Sequence, residues 1–230
     1  LVLGGGGLFA AFPLAYAIIL PATYPLIIAM LLGLVFRGVA FEFRWRDPGH
    51  RAFWDLAFTG GSLVAALSQG MILGALLQGI EVADRAYAGS WWDWLTPYTL
   101  LTGCGVVAGY ALLGACWLVW KTDGSTQDHA YRLARRAFWA TLALMGAVSL
   151  YNLLVRPEYA DRWLTAPELY YAAPVPIATG IVAIALFLAL RNQRESKPFW
   201  LALAMFLLGM AGLGFTIWPN VVPPDVTIWD

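Results

Sequence analysis

The sequence predicts an all-α, polytopic membrane protein, and three observations carry that expectation. First, 60% of the 230 residues are hydrophobic and only 12% are charged, against about 25% charged in an average soluble domain. Second, apolar runs recur that are long enough to cross about 30 Å of hydrocarbon at about 1.5 Å per residue. Third, the twelve tryptophans gather near the ends of those runs, as interfacial aromatics do at the two membrane surfaces. The formal net charge is zero, so composition gives no support to a nucleic-acid partner.

Seven segments have the length and apolarity to span: 1–20, 22–43, 53–80, 97–120, 131–153, 167–190 and 198–218. Backbone groups in hydrocarbon must be satisfied within each segment, so helices packed as bundles are expected and no sheet is. The first span runs into Pro21, which separates it from the second. Asp47-Pro48-Gly49 breaks the chain before the third. Thr96-Pro97 reads as an N-cap and first helical residue at the fourth. The fifth opens on the basic, amphipathic "HAYRLARR" at 129–136. Thr165 and Glu168 have capping-box spacing at the sixth. The whole of 1–230 is expected to form one transmembrane helical domain.

Orientation follows from lysine and arginine, which favour the cytoplasmic side. Arg37, Arg44, Arg46 and Arg51 gather at one connection; Lys121, Arg132, Arg135 and Arg136 at the next but one; Arg191, Arg194 and Lys197 at the next but one again. The other side carries only Arg85, Arg156 and Arg162. With seven spans this sets residue 1 on the cytoplasmic side and Asp230 outside. Trp91, Trp92, Trp94, Trp163, Trp218 and Trp229 then mark the outer belt. Trp45, Trp54, Trp117, Trp120, Trp139 and Trp200 mark the inner one. The chain starts on Leu1 within an apolar run and ends at "VTIWD", the pattern of a piece cut at both ends.

Small residues point to close helix contacts. Gly70 with Gly74, and Gly105 with Gly109, have the four-residue spacing that lets backbones approach. "GGGG" at 4–7 costs about 1 kcal/mol per glycine in a helix, so close packing or a local distortion is expected there. Gln69 and Gln78, polar within an apolar helix, are expected to bond between helices. Cys104 and Cys116 are about 18 Å apart along one helix, beyond disulfide reach.

The candidate chemistry lies in "RGVAFEFRWR", residues 37–46. From Ala22 to Phe36 the apolar run has 15 residues, about 22 Å, which is short of a full crossing. Arg37 is therefore expected inside the membrane boundary, with Glu42 near the headgroups. A charge at that depth costs a few kcal/mol unless paired, and Asp55, entering the third span, is the candidate partner. Arg37, Glu42 and Asp55 are thus candidates for a polar cluster that admits protons or fixes two helices. Glu42 and Arg46 are spaced to pair on one helix face. Arg44 and Arg46 read as surface anchors. His50 and His129 fall in connections, so no span offers the histidine that a membrane heme usually takes as axial ligand. The five methionines read as core filler, and no metal-binding spacing is present.

"GGLFAAFPLAYA", "LVFRGVAFEFR", "FTGGSLVAALSQGMILGALLQGI", "LLTGCGVVAGYALLGACWLVWKT" and "VVPPDVTIWD" resemble, in this order, subunit II of cytochrome bd-type quinol oxidases. The resemblance runs from about Gly5 to Asp230 and is weaker over 121–170. It implies nine transmembrane helices, as two four-helix bundles plus one, of which seven are expected here. It also implies a homologous subunit I carrying hemes b and d, quinol and dioxygen as substrates of the complex, and protons drawn from the cytoplasm of a bacterium or archaeon. This chain would then bind no heme and would not be catalytic alone. A structural quinone or a lipid on it stays open. Arg37 and Glu42 match a family arginine and acid, and Asp55 matches the acid of a "WD" pair. The acids that the family links best to proton entry lie upstream of this chain. Two other readings remain: a secondary transporter, which would favour charges at the midplane, and a structural membrane scaffold.

Overall fold

A computed structural model describes residues 2–155 and 157–229; Arg156, one of the expected outer bases, lies outside them, as do both terminal residues. Nine α-helices are described: α1 (Val2–Ala11), α2 (Pro13–Arg46), α3 (Arg51–Gln78), α4 (Pro97–Lys121), α5 (Gly124–Val155), α6 (Pro157–Leu164), α7 (Glu168–Ala172), α8 (Pro174–Arg191) and α9 (Lys197–Ile217). Among the described residues, six stretches are long and apolar enough to cross a membrane: Pro13–Arg46, Pro48–Gln78, Pro97–Lys121, Gly124–Leu154, Glu168–Arg191 and Lys197–Ile217. The multi-pass helical architecture matches the expectation, and the count of spans does not.

The correction falls on the first two segments. Expected spans 1–20 and 22–43 are replaced by the short α1 and one helix of 34 residues. The break comes at Phe12, before Pro13, and Pro21 and Pro25 lie inside α2. Prolines persist in membrane helices where nearby hydroxyls and helices satisfy the freed backbone groups. Thr23, fully buried between the two prolines, donates its hydroxyl to Ile19 O at 2.7 Å, a carbonyl other than the two that Pro21 and Pro25 leave without a donor. The 10 described residues of α1 rise about 15 Å. A second correction concerns strands. Two short antiparallel ribbons occur, β1 (Val82–Ala83) with β2 (Ala86–Tyr87) and β3 (Asn220–Val222) with β4 (Val226–Thr227). Both lie in connections outside the spans, where water and turns can satisfy a ribbon's edges.

The chain forms two compact units, Leu1–Val107 with Pro219–Asp230, and Ala108–Trp218. In the first, Ala15, Ile18 and Ala22 of α2 share a core with Ile80, Val222 and Val226. Ile80 N also donates to Pro223 O at 3.1 Å. The start of α2, the end of α3 and the segment after α9 therefore lie at one end of this unit.

In the second unit Leu112, Ala115, Cys116 and Val119 of α4 pack with Tyr131, Ala134 and Phe138 of α5, Leu186 and Leu190 of α8, and Met205 of α9. Small residues alternate with large ones along these faces, which is how facing helices interdigitate. The sixth expected span is two helices, α7 and α8, and the Thr165–Glu168 box is not formed: α7 has Pro167 at its N-cap and no side-chain cap bond. Thr96 does cap α4. Its Oγ1 accepts from Thr99 N at 3.2 Å while Thr99 Oγ1 accepts from Thr96 N at 3.0 Å, so two orphan donors are satisfied reciprocally.

Candidate functional site

The candidate residues sit where α2 and α3 meet the turn at 47–50. Asp47 N donates to Phe43 O at 2.9 Å and closes α2, and Pro48–His50 form one 3-10 turn. His50 Nδ1 lies 2.9 Å from Asp47 Oδ2, and Trp54 Nε1 donates to the same oxygen at 3.5 Å. These bonds, the His50 contact foremost, hold the Asp47 carboxyl below its ordinary value against the opposing effect of burial. Phe43 and Trp54 pack with ring centroids 5.2 Å apart across the turn.

Asp55 pairs with Arg44, not with Arg37. Arg44 Nε donates to Asp55 Oδ1 at 2.5 Å and Nη2 to Oδ2 at 3.4 Å, a two-pronged contact. Glu42 accepts from Arg46 Nη2 at 2.8 Å, the pairing its spacing foretells. Arg37 instead lies over the Phe58 ring, 5.6 Å from its centroid. The reason is depth. In a helical hairpin, residues pair at equal distances from the turn. Arg37 lies nine residues before the end of α2, about 14 Å, while Asp55 lies four residues into α3, about 6 Å. Arg44 is close to the turn, as Asp55 is, and the register therefore joins those two. Sequence reasoning placed Arg44 as a surface anchor only; the length of the 47–50 turn was the signal that could have found the pair.

The unbroken α2 also changes the argument about Arg37. Its charge-free stretch runs from Pro13 to Phe36, about 36 Å, which crosses the hydrocarbon without help. The side chain of Arg37, like those of Glu42 and Asp55, is exposed in this chain.

The glycines divide. A Cβ on Gly70 would meet Gly103 Cα at 2.7 Å and Thr102 O at 2.8 Å, and one on Gly74 would meet Thr102 Oγ1 and, at 2.9 Å, Thr99 Cα. These two lie against α4, whose close-approach residue is Gly103. Gly105 is half-buried, and a Cβ on Gly109 would meet nothing within 4 Å. A pair with no sequence spacing to announce it joins α2 and α3: a Cβ on Gly33 would meet Gly61 O at 2.7 Å, and one on Gly61 would meet Gly33 O. The Gly4–Gly7 run is helical and would meet nothing within 4 Å, so the close packing expected there is not made within this chain.

At the opposite end of the first unit is a cavity of about 620 Å³, lined in part by Ala22, Ala75, Gln78, Tyr87, Trp94 and Thr96. Gln78 Oε1 accepts from Thr96 Oγ1 at 2.7 Å, the interhelical bond expected of it. Asp93 accepts from Ser90 Oγ, from Ser90 N at 2.7 Å and from Tyr87 OH at 3.0 Å, and is held below its ordinary value by these bonds, the one from Ser90 Oγ foremost. Burial, with Asp93 as a second cause, pushes the Tyr87 phenol up to about 12. Among the described residues no group of three or more His, Cys, Asp or Glu could hold a metal ion. His50 sits in the 47–50 turn and His129 in the first two turns of α5, which starts at Gly124 rather than near 131. Both are exposed.

The fold and this site define a multi-pass helical membrane protein whose charged groups gather at the ends of its spans. The chain belongs to the cytochrome bd terminal oxidase subunit II family, whose model matches residues 1–230. It is 30% identical over 212 residues to the "Probable cytochrome oxidase subunit 2" of Haemophilus influenzae, covering 87% of this chain and 54% of that protein. It is 33% identical over 193 residues to the "Cytochrome bd-I ubiquinol oxidase subunit 2" of Escherichia coli K12, covering 79% of this chain and 49% of that protein. It is 29% identical over 224 residues to the "Cytochrome bd ubiquinol oxidase subunit 2" of Bacillus subtilis, covering 94% and 61%. The chain thus spans about half to three-fifths of the length of these relatives. A solved structure, "The structure of bd oxidase from Geobacillus thermodenitrificans", superposes with a TM-score of 0.77 at 20% identity, covering 98% of this chain and 68% of that one; at that identity it supports the fold.

Proposed function

We propose that this chain is part of subunit II of a cytochrome bd-type quinol oxidase in a bacterial inner membrane. It works beside a heme-bearing subunit I in a complex that oxidises quinol and reduces dioxygen to water. The carrying observation is the family match along all 230 residues. The placement of both histidines outside the apolar parts of the spans supports heme ligation by the partner. The chain's own contribution is proton access and assembly. The ends at 47–50, 121–124 and 191–197 carry the lysine and arginine excess and face the cytoplasm in this reading.

Proton access is assigned to Glu42 and Asp55, exposed carboxylates at the mouth of the α2–α3 pair, with Arg37 above them as a fixed positive charge. Each carboxylate is within reach of water and is oriented by one arginine. The test uses the full-length complex. The protein should co-purify with a heme-bearing subunit, seen in visible absorbance; a lone, colourless protein would sink the oxidase reading. Glu42→Gln should slow oxygen consumption several-fold with heme content unchanged. Unaltered turnover, or loss of heme, would remove Glu42 from the proton route while leaving the oxidase reading intact.

A further inference from the structure

The second unit carries an unneutralised positive end. Lys121 closes α4, and Arg132, Arg135 and Arg136 follow in the third and fourth turns of α5. Arg191 closes α8, Arg194 follows it, and Lys197 opens α9. The contacts put them together: Arg135 Nη2 donates to Leu190 O at 3.1 Å, and the Trp120 ring lies 5.7 Å from Phe199. All seven cations are exposed. The neighbouring carboxylates are Asp123, Asp128 and Glu195, leaving an excess of four positive charges. Among the described residues, none of the seven has a carboxylate within ion-pair distance; the ion pairs described are Arg44–Asp55, Arg46–Glu42 and His50–Asp47. At the α2–α3 turn two arginines, Arg44 and Arg46, each hold a carboxylate, whereas none of the seven cations at the end of the second unit is in a described ion pair.

Aromatic rings flank this charge at membrane-surface height. Lys121 Nζ lies 4.1 Å from the Trp120 ring centroid and 5.2 Å from that of Trp117. Trp117 packs on Phe199 at 5.1 Å, and Phe199 on Trp200 at 5.5 Å. Trp117 is 45% exposed and Trp200 56%. Tryptophan at this level seats against headgroups and upper acyl chains, and basic groups between membrane helices favour phosphate-bearing headgroups. A soluble polyanion would match the charge but not the exposed rings. We propose that this end of the second unit, between α4, α8 and α9, is a docking surface for anionic phospholipid. The lipid phosphate is held by Lys121, Arg194 and Lys197, and its chains lie along Trp117 and Trp200.

The test uses the full-length complex, reloaded with equal amounts of phosphatidylglycerol and phosphatidylcholine of matched chains, with retained lipid counted by mass spectrometry. The wild type should retain phosphatidylglycerol about fivefold or more over phosphatidylcholine. The enrichment should fall steeply as salt rises from about 0.05 M to about 0.5 M. The triple change Lys121→Gln, Arg194→Gln and Lys197→Gln should abolish it, while Arg46→Gln, which removes a paired cation, leaves it. Equal retention of the two lipids by the wild type, enrichment indifferent to salt, or enrichment kept by the triple variant would each overturn the proposal. Displacement by an equal concentration of inorganic phosphate would overturn the choice of a lipid as occupant. Should the triple variant fail to assemble with heme, the wild-type lipid ratio and its salt dependence decide alone.

Discussion

Arg162 shows how much one side chain can change between reading and structure. By sequence it is one of three bases on the sparsely charged side. In the structure its Nη1 donates to Thr216 O at 2.9 Å and also to Trp218 O, at the C-terminal end of α9. Next to it, Trp163 Nε1 donates to Thr216 Oγ1 at 3.1 Å. The last carbonyls of a helix lack intrahelical donors and carry partial negative charge, so a guanidinium there satisfies both needs. Arg162→Ala should lower stability by about 1–2 kcal/mol, read as a lower thermal midpoint of the purified complex, with Arg162→Lys recovering part of it. An unchanged midpoint for the alanine variant would show that water caps α9 equally well. No sequence signal pointed here, because the contact joins residues more than fifty positions apart. The Arg46–Glu42 pair was legible because its partners are four residues apart on one helix.

At the scale of the element, packing rests on glycines whose importance depends on what faces them. Gly33 and Gly61 bring α2 and α3 to backbone contact, and Gly70 does the same for α3 and α4. Gly33→Ala or Gly70→Ala forces a methyl into backbone atoms and should cost about 1–3 kcal/mol. Gly109→Ala fills open space, removes a flexible residue from a helix and should be neutral or slightly stabilising. Heat inactivation of the assembled complex, variant by variant, measures this; equal losses at Gly33 and Gly109 would contradict the packing described. Spacing alone ranked Gly105 and Gly109 with Gly70 and Gly74, since a four-residue interval identifies a helix face but not what lies opposite. The start of α4 was legible at Thr96-Pro97, where an N-cap marks it, whereas the cap spacing at Thr165–Glu168 was not used. The boundary at Pro21 was misread, because a proline reads as a break in sequence, whereas membrane helices tolerate internal prolines.

For the whole molecule, merging the start of the second expected span into one long α2 changes the count of spans and leaves the alternation of basic and non-basic connections as it was. Class, apolar spans and the cationic bias of alternate connections all follow from composition and periodicity, which are summed over many residues and tolerate local error. Which connections face which side follows from the lysine and arginine bias, and that bias is the same whether six or seven spans are counted. Six spans make a definite expectation: cysteines introduced at Arg85 and at Asp225 should react with an impermeant maleimide from the outer side of intact cells. One at Ser125 should react only after lysis. Reaction of the three from one side would exclude the six-span arrangement.

The turn at 47–50 has a further consequence, for the order of events during synthesis. The chain entropy lost in closing a loop grows with its length, and only four residues separate α2 from α3. The Arg44–Asp55 pair and the Gly33–Gly61 contact close this hairpin from residues that have all been made before α4 begins. Contacts that local form early. The α2–α3 pair can therefore settle in the bilayer while the ribosome is still extending the chain, and Gly70 and Gly74 then present α4 with a finished groove instead of a partner still searching for its register.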